Sequence, residues 1–323
     1  MSDYGQLTCV QRCQIEALKK SGMSQQAIAQ QLDIHQSTVS RELSRNTGER
    51  GYRHQQAQKK TELRRTATQK PSKMTADMLV LIDKKLEEKL SPEQISGWLL
   101  DTQNLSLSHE SVYRHVWADK KGGGNLYKHL RRRGKKYQWR GSNGKTGRGQ
   151  LKNRVSIDER PAVVDEKIEV GHWEIDTVIG KGHSGALVTI VERVTRFTVS
   201  QQVKGKSAKA VTAATLTLLT PFKNLVRTIT SDNGKEFAHH EKIAAELDCQ
   251  FYFAHPYHSW ERGLNENTNG LLRQYFPKST DFKCVRNQAV VAAVNQLNKR
   301  PRKVLAFKTP FDLMEQQMAA LAA

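Results

Sequence analysis

The sequence predicts an α/β domain, a mixed sheet with flanking helices, preceded by all-α helix-turn-helix modules. Apolar residues recur at helical spacing up to about residue 120, and no strand pattern interrupts them. From about Val155, short runs rich in β-branched residues alternate with helical segments. With 323 residues, of which 37% are hydrophobic, the chain is long enough for one large domain and one or two small modules.

Charge is spread unevenly along the chain, whose net charge is +20. Residues 1–160 hold 31 Lys and Arg against 16 Asp and Glu, a balance of +15, whereas residues 161–323 hold 21 against 16, or +5. A basic front half suits the phosphates of a nucleic acid. The alternative is a basic surface that serves only solubility. The chain has no apolar run of membrane-spanning length and no signal peptide at its N-terminus, which predicts a cytoplasmic protein.

The four cysteines predict neither zinc nor disulfides, because none forms a CxxC pair or a cluster with zinc spacing. Cys9 and Cys13 are expected to share the inward face of a first helix with Val10, Ala17 and Leu18.

Residues 1–48 are predicted to form a helix-turn-helix DNA-binding domain. Ser24 caps a short helix with Ile28 and Ala29 inside, and Asp33 lies at the sharp turn, where a positive φ is needed. A second helix follows, and its outward residues are predicted to contact bases and phosphates: Gln36, Ser37, Thr38, Arg41 and Arg45. An ordinary helical hairpin with a polar face is the alternative.

The next segments are predicted to alternate between basic linkers and a second helical module. Residues 49–73 are expected to be a basic linker, and residues 74–120 a helix-turn-helix-like module or a plain spacer bundle. In that module, Ser91-Pro92-Glu93-Gln94 has the capping-box pattern. Residues 121–155 are read as a second basic linker, rich in glycine, whose eleven basic residues between Lys128 and Arg154 have no acid among them. Its expected DNA contacts are Arg131, Arg132, Arg133, Lys135 and Lys136.

Residues 156–323 are predicted to be the α/β domain, with a C-terminal helix. Three strand-like segments are followed by a helix, a strand, a helix, a strand and a helix. This order resembles the ribonuclease H-like fold.

Three carboxylates in this domain stand out. Asp176 lies within the first strand, Asp232 follows the fourth, and Glu266 lies on a helix with 33 residues between it and Asp232. Taken singly, Asp232 is readily explained as a turn residue, and Glu266 as a surface pair with Arg262. Together they predict a site for Mg²⁺ or Mn²⁺, in which two ions about 3.5–4 Å apart promote displacement at phosphorus. Arg273 is expected to hold a phosphate beside Glu266, and Arg262 to do the same or to orient the glutamate.

Four neighbouring residues have open roles. His172 and Glu174 share a strand face with Asp176, so they either support the site or serve structure. His255 and His258 flank a proline loop and either touch substrate or metal or do neither.

The stretches GHWEIDTVIG, TSDNGKEF and PYHSWERGLNENTNGLLRQYFPK resemble the DDE transposases of bacterial insertion sequences, most closely the family numbered thirty. The resemblance implies that Asp176, Asp232 and Glu266 form the catalytic triad. It also implies that Arg262 and Arg273 occupy the basic positions near the glutamate. Ser259 departs from the family pattern, since a tyrosine is often found there.

The same resemblance implies a DNA transposase that binds terminal inverted repeats and performs metal-dependent strand cleavage and strand transfer. The expected partners are repeat and target DNA, with a homodimer or higher oligomer holding two ends; the setting would be the bacterial nucleoid. Two rivals remain at this stage: a repressor with an inert catalytic domain, and a structure-selective nuclease that cuts without joining.

Overall fold

A computed structural model describes residues 6–67, 73–133, 151–256 and 258–322. The chain divides into two compact units, Met1–Met74 and Thr75–Ala323. In the described part of the chain, no helix combines the length and apolarity needed to cross a membrane.

The first unit is a four-helix domain built around the predicted helix-turn-helix. Its helices are α1 (Cys9–Lys20), α2 (Gln25–Gln31), α3 (Gln36–Asn46) and α4 (His54–Ala67). The side chain of Ser24 caps α2, and Asp33 has a φ of 51° in the turn before α3, as the sequence predicts. Val39 is fully buried, and Leu43 is nearly so.

The inward face of α1 differs from the prediction. Cys9, Val10, Cys13 and Ala17 are exposed, while Arg12 and Ile15 are buried. Arg12 turns inward because its guanidinium pairs with the buried carboxylate of Glu42, at 3.0 Å from Nε to Oε1. A charged residue that is buried with its partner cannot be found by following apolar periodicity.

Residues 49–73, expected to be a linker, contain helix α4, which packs on α1 and α3. Ala57 of α4 is fully buried, and Tyr52 just before the helix is nearly so, its hydroxyl donating to Glu42. The segment has few apolar residues because its contacts with the domain are largely polar. It is therefore part of the first unit.

The second unit begins with the predicted second helical module. Its helices are α5 (Ala76–Glu87), α6 (Pro92–Gln103) and α7 (His109–Lys121). Ser91 and Gln94 form the predicted capping box at α6. The module contacts the α/β domain, since the ammonium of Lys89 lies 3.9 Å from the ring centroid of Tyr275. It therefore belongs to the same compact unit as that domain.

The rest of the second unit holds the sheet and its helices. The strands are β1 (His172–Ile179), β2 (Ala186–Glu192), β3 (Thr198–Val203), β4 (Thr228–Ser231) and β5 (Gln250–Phe253). The remaining helices are α8 (Val163–Glu166), α9 (Ala208–Leu219), α10 (His240–Leu247), α11 (Gly263–Leu272), α12 (Asn287–Asn298) and α13 (Pro310–Ala322).

The five strands form one mixed sheet in the order β3-β2-β1-β4-β5. Strand β2 pairs antiparallel with both β1 and β3, whereas β4 pairs parallel with β1, and β5 pairs parallel with β4. The sheet confirms the ribonuclease H-like prediction, and β1 lies at its centre.

Alternate residues of β1 face two different cores. Trp173 and Ile175 pack in a cluster with residues of α9 and α10. Val178 packs on the other side, with residues of α11 and α12. Because side chains alternate along a strand, Glu174 and Asp176 share the face of Val178 and lie on the side of α11.

Candidate active site

The parallel pairing of β1 and β4 brings two of the three predicted carboxylates together. Glu174 is aligned with Thr230. Asp176 and Asp232 each follow this aligned pair by two residues, and they are close enough for the charge of Asp232 to act on Asp176. Asp232 lies just past the end of β4, where its Oδ1 accepts a hydrogen bond of 2.9 Å from the backbone of Gly234. Asp232 is therefore a turn residue, as its sequence context alone suggests, and the same turn orients its carboxylate toward Asp176.

The guanidinium of Arg262 lies between these two aspartates. Its Nη1 is 3.6 Å from Oδ1 of Asp176, and its Nη2 is 3.6 Å from Oδ2 of Asp232. Within the described residues, Nε and Nη1 of Arg262 are buried without a hydrogen-bond partner. The group is therefore held mainly by charge, and its ion pairs are with the aspartates rather than with Glu266.

Helix α11 is anchored across β1 and β2 at two points. The backbone N–H of Asn265 in its first turn donates to the buried carboxylate of Glu174 at 3.1 Å. One turn later, Nδ2 of Asn269 donates to Oδ2 of Asp176 at 2.9 Å, and Oδ1 of Asn269 accepts from the hydroxyl of Thr189 at 3.0 Å. The register of the helix against the sheet is thus fixed by hydrogen bonds.

Glu266 projects from the same face of this anchored helix. It follows Arg262 by four residues and precedes Asn269 by three, and both of those residues contact Asp176. Its side chain is exposed and makes no hydrogen bond or ion pair within the described part of the chain. The structure therefore brings Asp176 and Asp232 to one guanidinium, and it places Glu266 on the helix that contacts Asp176.

Burial shapes the electrostatics of the strand carboxylates. It raises the pKa of Asp176 above the ordinary value, and the nearby charge of Asp232 adds to this effect, while Arg262 opposes it. Burial likewise raises the pKa of Glu174, against the lowering effect of Arg193. A carboxylate that is costly to charge in the empty site gains more from a cation beside it.

Two residues of this site were not predicted from the sequence. Asn269 contacts Asp176, and its spacing of three from Glu266 on one helix was the available signal. Glu236, nearly buried, accepts from the hydroxyl of Thr177 at 3.0 Å and pairs with Lys206 at 2.6 Å. Its position just beyond SDNG was the only sequence clue.

The basic residues expected to contact DNA have different surroundings. Arg131 donates to the side chain and backbone of Asn267 on α11, and Arg133 to the carbonyl of Gln274. Arg132 lies between these two residues in the part of the chain that the structure describes. Lys135 and Lys136 lie outside the described residues. The described end of this presumed linker is therefore attached to the α/β domain.

Arg273 has a structural task that the sequence did not suggest. Its Nη2 donates to the carbonyl of Ile179 at 2.8 Å, and its Nη1 to the carbonyls of Phe276 and Pro277. The guanidinium thereby joins the end of β1 to the turn after α11. A phosphate contact beside Glu266 stays a prediction.

On α3, the predicted recognition residues lie on the outward side. Gln36, Arg41 and Arg45 are exposed, and Ser37 and Thr38 are half-buried at the start of the helix. Contact of these side chains with DNA bases stays a prediction.

The two open residues of β1 have different surroundings. His172 lies at the start of β1, about 13 Å along the strand from Asp176. It hydrogen-bonds to Thr228 and Glu169, which makes it a structural residue. Glu174 touches the backbone of α11 and so supports the helix that bears Glu266.

The donor set at the strand ends suits a hard divalent cation. Asp176, Asp232 and Glu266 offer only carboxylate oxygens, the ligand type that Mg²⁺ and Mn²⁺ prefer. The guanidinium of Arg262 between the aspartates marks a position that attracts positive charge.

Two protein-family models match parts of this chain. Residues 3–46 match a helix-turn-helix domain model, and residues 166–259 match an integrase core domain model that spans Asp176 and Asp232 and ends before Glu266. The catalytic core domain of BIV integrase is a structural neighbour at 20% identity and a TM-score of 0.39, covering 48% of this chain and 99% of that one.

Curated relatives align over almost the whole chain. The transposase for insertion sequence element IS4351 of Bacteroides fragilis is 45% identical over 96% of this chain and 95% of its own length. Transposase InsI for insertion sequence element IS30A of Escherichia coli (strain K12) is 36% identical over 97% of this chain and 84% of its own length.

These matches confirm the predicted function class. An integrase-type core indicates polynucleotidyl transferase activity that depends on a divalent metal, and the helix-turn-helix and core domains indicate DNA binding. The chain belongs to the IS30 family of DNA transposases.

Proposed function

We propose that Asp176, Asp232 and Glu266 are the catalytic carboxylates of this transposase and hold two divalent ions, Mg²⁺ or Mn²⁺. The observation that carries the proposal is the placement of Asp176 and Asp232 on either side of the Arg262 guanidinium, next to a helix hydrogen-bonded to Asp176 itself. Glu266 lies on that helix, four residues after Arg262 and three before Asn269.

The proposed reaction has two chemically balanced steps. In the first, a water oxygen bonds to phosphorus at the element end, and the bond from phosphorus to the 3′ oxygen breaks, which leaves a 3′-hydroxyl. In the second, that hydroxyl bonds to phosphorus in another strand and displaces its 3′ oxygen, so the number of phosphodiester bonds is conserved. Bound divalent ions would activate the attacking oxygen and stabilise the leaving one.

The residues of the chain prepare this reaction in distinct ways. Asn269 fixes the orientation of Asp176, Glu174 holds the first turn of α11, and Arg262 offsets the repulsion between the two aspartates. These fixed groups leave little rearrangement for the reaction itself.

The first unit would recognise the ends of the insertion element. We propose that α3 reads the terminal inverted repeats through Gln36, Ser37, Thr38, Arg41 and Arg45, with Arg131, Arg132, Arg133, Lys135, Lys136, Arg262 and Arg273 as further DNA contacts. Because two ends must be joined, a homodimer or higher oligomer is expected at synapsis.

The test is strand transfer of labelled terminal-repeat DNA in Mg²⁺. Asp232→Asn should abolish joining and leave binding of the ends intact, because the change removes a charge and keeps the shape. Asp248→Asn is the matched control, since Asp248 is an exposed aspartate at the end of α10. Joining by Asp232→Asn at the wild-type rate would refute the site, and cleavage without joining by the wild-type protein would favour a nuclease.

A further inference from the structure

A second group of metal-ligand side chains lies in the segment between β5 and α11. His255, His258 and Glu261 each offer one ligand atom, and the three atoms lie within 4.8 Å of one another. Oε1 of Glu261 is 2.8 Å from Nδ1 of His255 and 3.2 Å from Nδ1 of His258. None of these residues belongs to the carboxylate site described above.

These distances are close to those of a metal centre. Zinc bonds of about 2.0–2.2 Å in a tetrahedral site separate ligand atoms by roughly 3.3 Å. Both histidines are within a few tenths of an ångström of that separation from Glu261, and all three ligand atoms lie within 4.8 Å of one another. Two imidazoles and one carboxylate form a set that suits a transition metal such as zinc rather than magnesium. The side chains are partly exposed, which leaves a path for the ion and room for a water ligand.

The surrounding contacts already orient the ligands. The backbone N–H of His255 donates to Oε2 of Glu261 at 2.8 Å, which turns Oε1 toward the imidazoles. Oδ2 of Asp158 lies 2.9 Å from Nε2 of His255 and can accept its proton. A carboxylate behind a ligating histidine is the usual outer partner in zinc sites, and it leaves Nδ1 for the metal.

We propose that His255, His258 and Glu261 form a binding site for a divalent transition metal, with zinc the best fit, and that Asp158 orients His255. Binding displaces the proton shared between Nδ1 of His255 and Glu261, and that proton is released to solvent. Glu261 directly precedes Arg262, so the metal would fix the segment that delivers Arg262 to the two aspartates. The sequence prediction of no zinc was based on the cysteines, and contact of His255 and His258 with a metal was left open.

The experiment measures zinc binding by the full chain, stripped with chelator, through competition with a chromogenic chelator. The background carries Cys9→Ser, Cys13→Ser and Cys284→Ser, because these three cysteines are exposed, and Asp232→Asn to weaken the carboxylate site. One zinc per chain is expected. His255→Ala and His258→Ala should each lower the affinity at least tenfold, and His239→Ala, an exposed histidine of the same unit, should not.

Two further readouts keep the test decisive. Asp158→Asn changes an exposed side chain, so it should fold normally and lower the affinity by about 10–100-fold. Cobalt in place of zinc should give visible bands without thiolate charge transfer, and His258→Ala should remove them. Equal zinc stoichiometry and affinity in all variants, or no zinc bound by the unmutated site, would overturn the proposal and leave a hydrogen-bonded histidine–carboxylate cluster only.

Discussion

Replacement of Asn269 by alanine should slow DNA cleavage without unfolding the protein. Its Nδ2 donates to Oδ2 of Asp176 at 2.9 Å, and its Oδ1 accepts from Thr189, so the amide can hold only one orientation. A hydrogen bond to a charged group contributes about 1.5–3 kcal/mol. If that energy orients Asp176 for reaction, its loss slows the chemical step by roughly 10-fold to 100-fold.

The assay is single-turnover cleavage of end-labelled terminal-repeat DNA at saturating protein, so that weaker binding cannot imitate slower chemistry. Asn295→Ala, an exposed asparagine on α12, is the matched control and should cleave at the wild-type rate. Thermal unfolding of each variant tests whether the fold has survived.

A double-mutant cycle with Thr189 sharpens the test. Thr189→Val keeps the shape of a fully buried residue and removes the hydroxyl that fixes the amide of Asn269. It should slow cleavage less than Asn269→Ala, and the double variant should lose less than the sum of the two single losses, because both changes act on the position of Asp176. Wild-type cleavage by Asn269→Ala, or fully additive losses, would refute the role given to Asn269.

Three further predictions concern the first unit. Arg12→Met should lower the free energy of unfolding by about 3–5 kcal/mol in denaturant titration, because it leaves Glu42 buried and unpaired. Arg41→Ala should weaken binding of repeat DNA and reduce its salt dependence in fluorescence anisotropy, with unchanged thermal stability, because the side chain is exposed. Hydrogen bonds from His54 and Lys20 lower the pKa of Glu16 from 4.5 to about 2. The contribution of the ionised Glu16 carboxylate to folding stability is therefore present above pH 4.5 and lost as the pH falls toward 2. In Glu16→Gln, the thermal unfolding midpoint should depend less on pH across that range.

Sequence periodicity predicted most of the α/β domain because its signals are local. The first strand was expected around Asp176 and is found at His172–Ile179, since most of its residues other than the acids are aromatic or β-branched. Ser91 and Asp33 were also located correctly, because capping and a positive φ depend on one or two residues each.

The errors have one physical cause, which is polar burial. Arg12 and Glu42 are buried inside the first unit, and the segment of α4 packs through Tyr52, just before the helix, and through hydroxyl contacts. Apolar patterns therefore predicted the wrong inward face for α1 and a linker in place of α4. Asn269 was missed for the same reason: its partner Asp176 is 93 residues away, and no local pattern reports that distance.

Charge balance predicts that the proposed carboxylate site needs further positive charge before DNA can enter. Asp176 and Asp232 share a single guanidinium, and Glu236 nearby is balanced by Lys206, which leaves the site negative once Glu266 is counted. A DNA phosphate has the same sign and is repelled, although the chain as a whole carries +20. The basic surface can therefore bring DNA to the protein, but the reacting phosphate can come close only when cations occupy the carboxylates. This separation of roles predicts binding of DNA without metal and cleavage only with it.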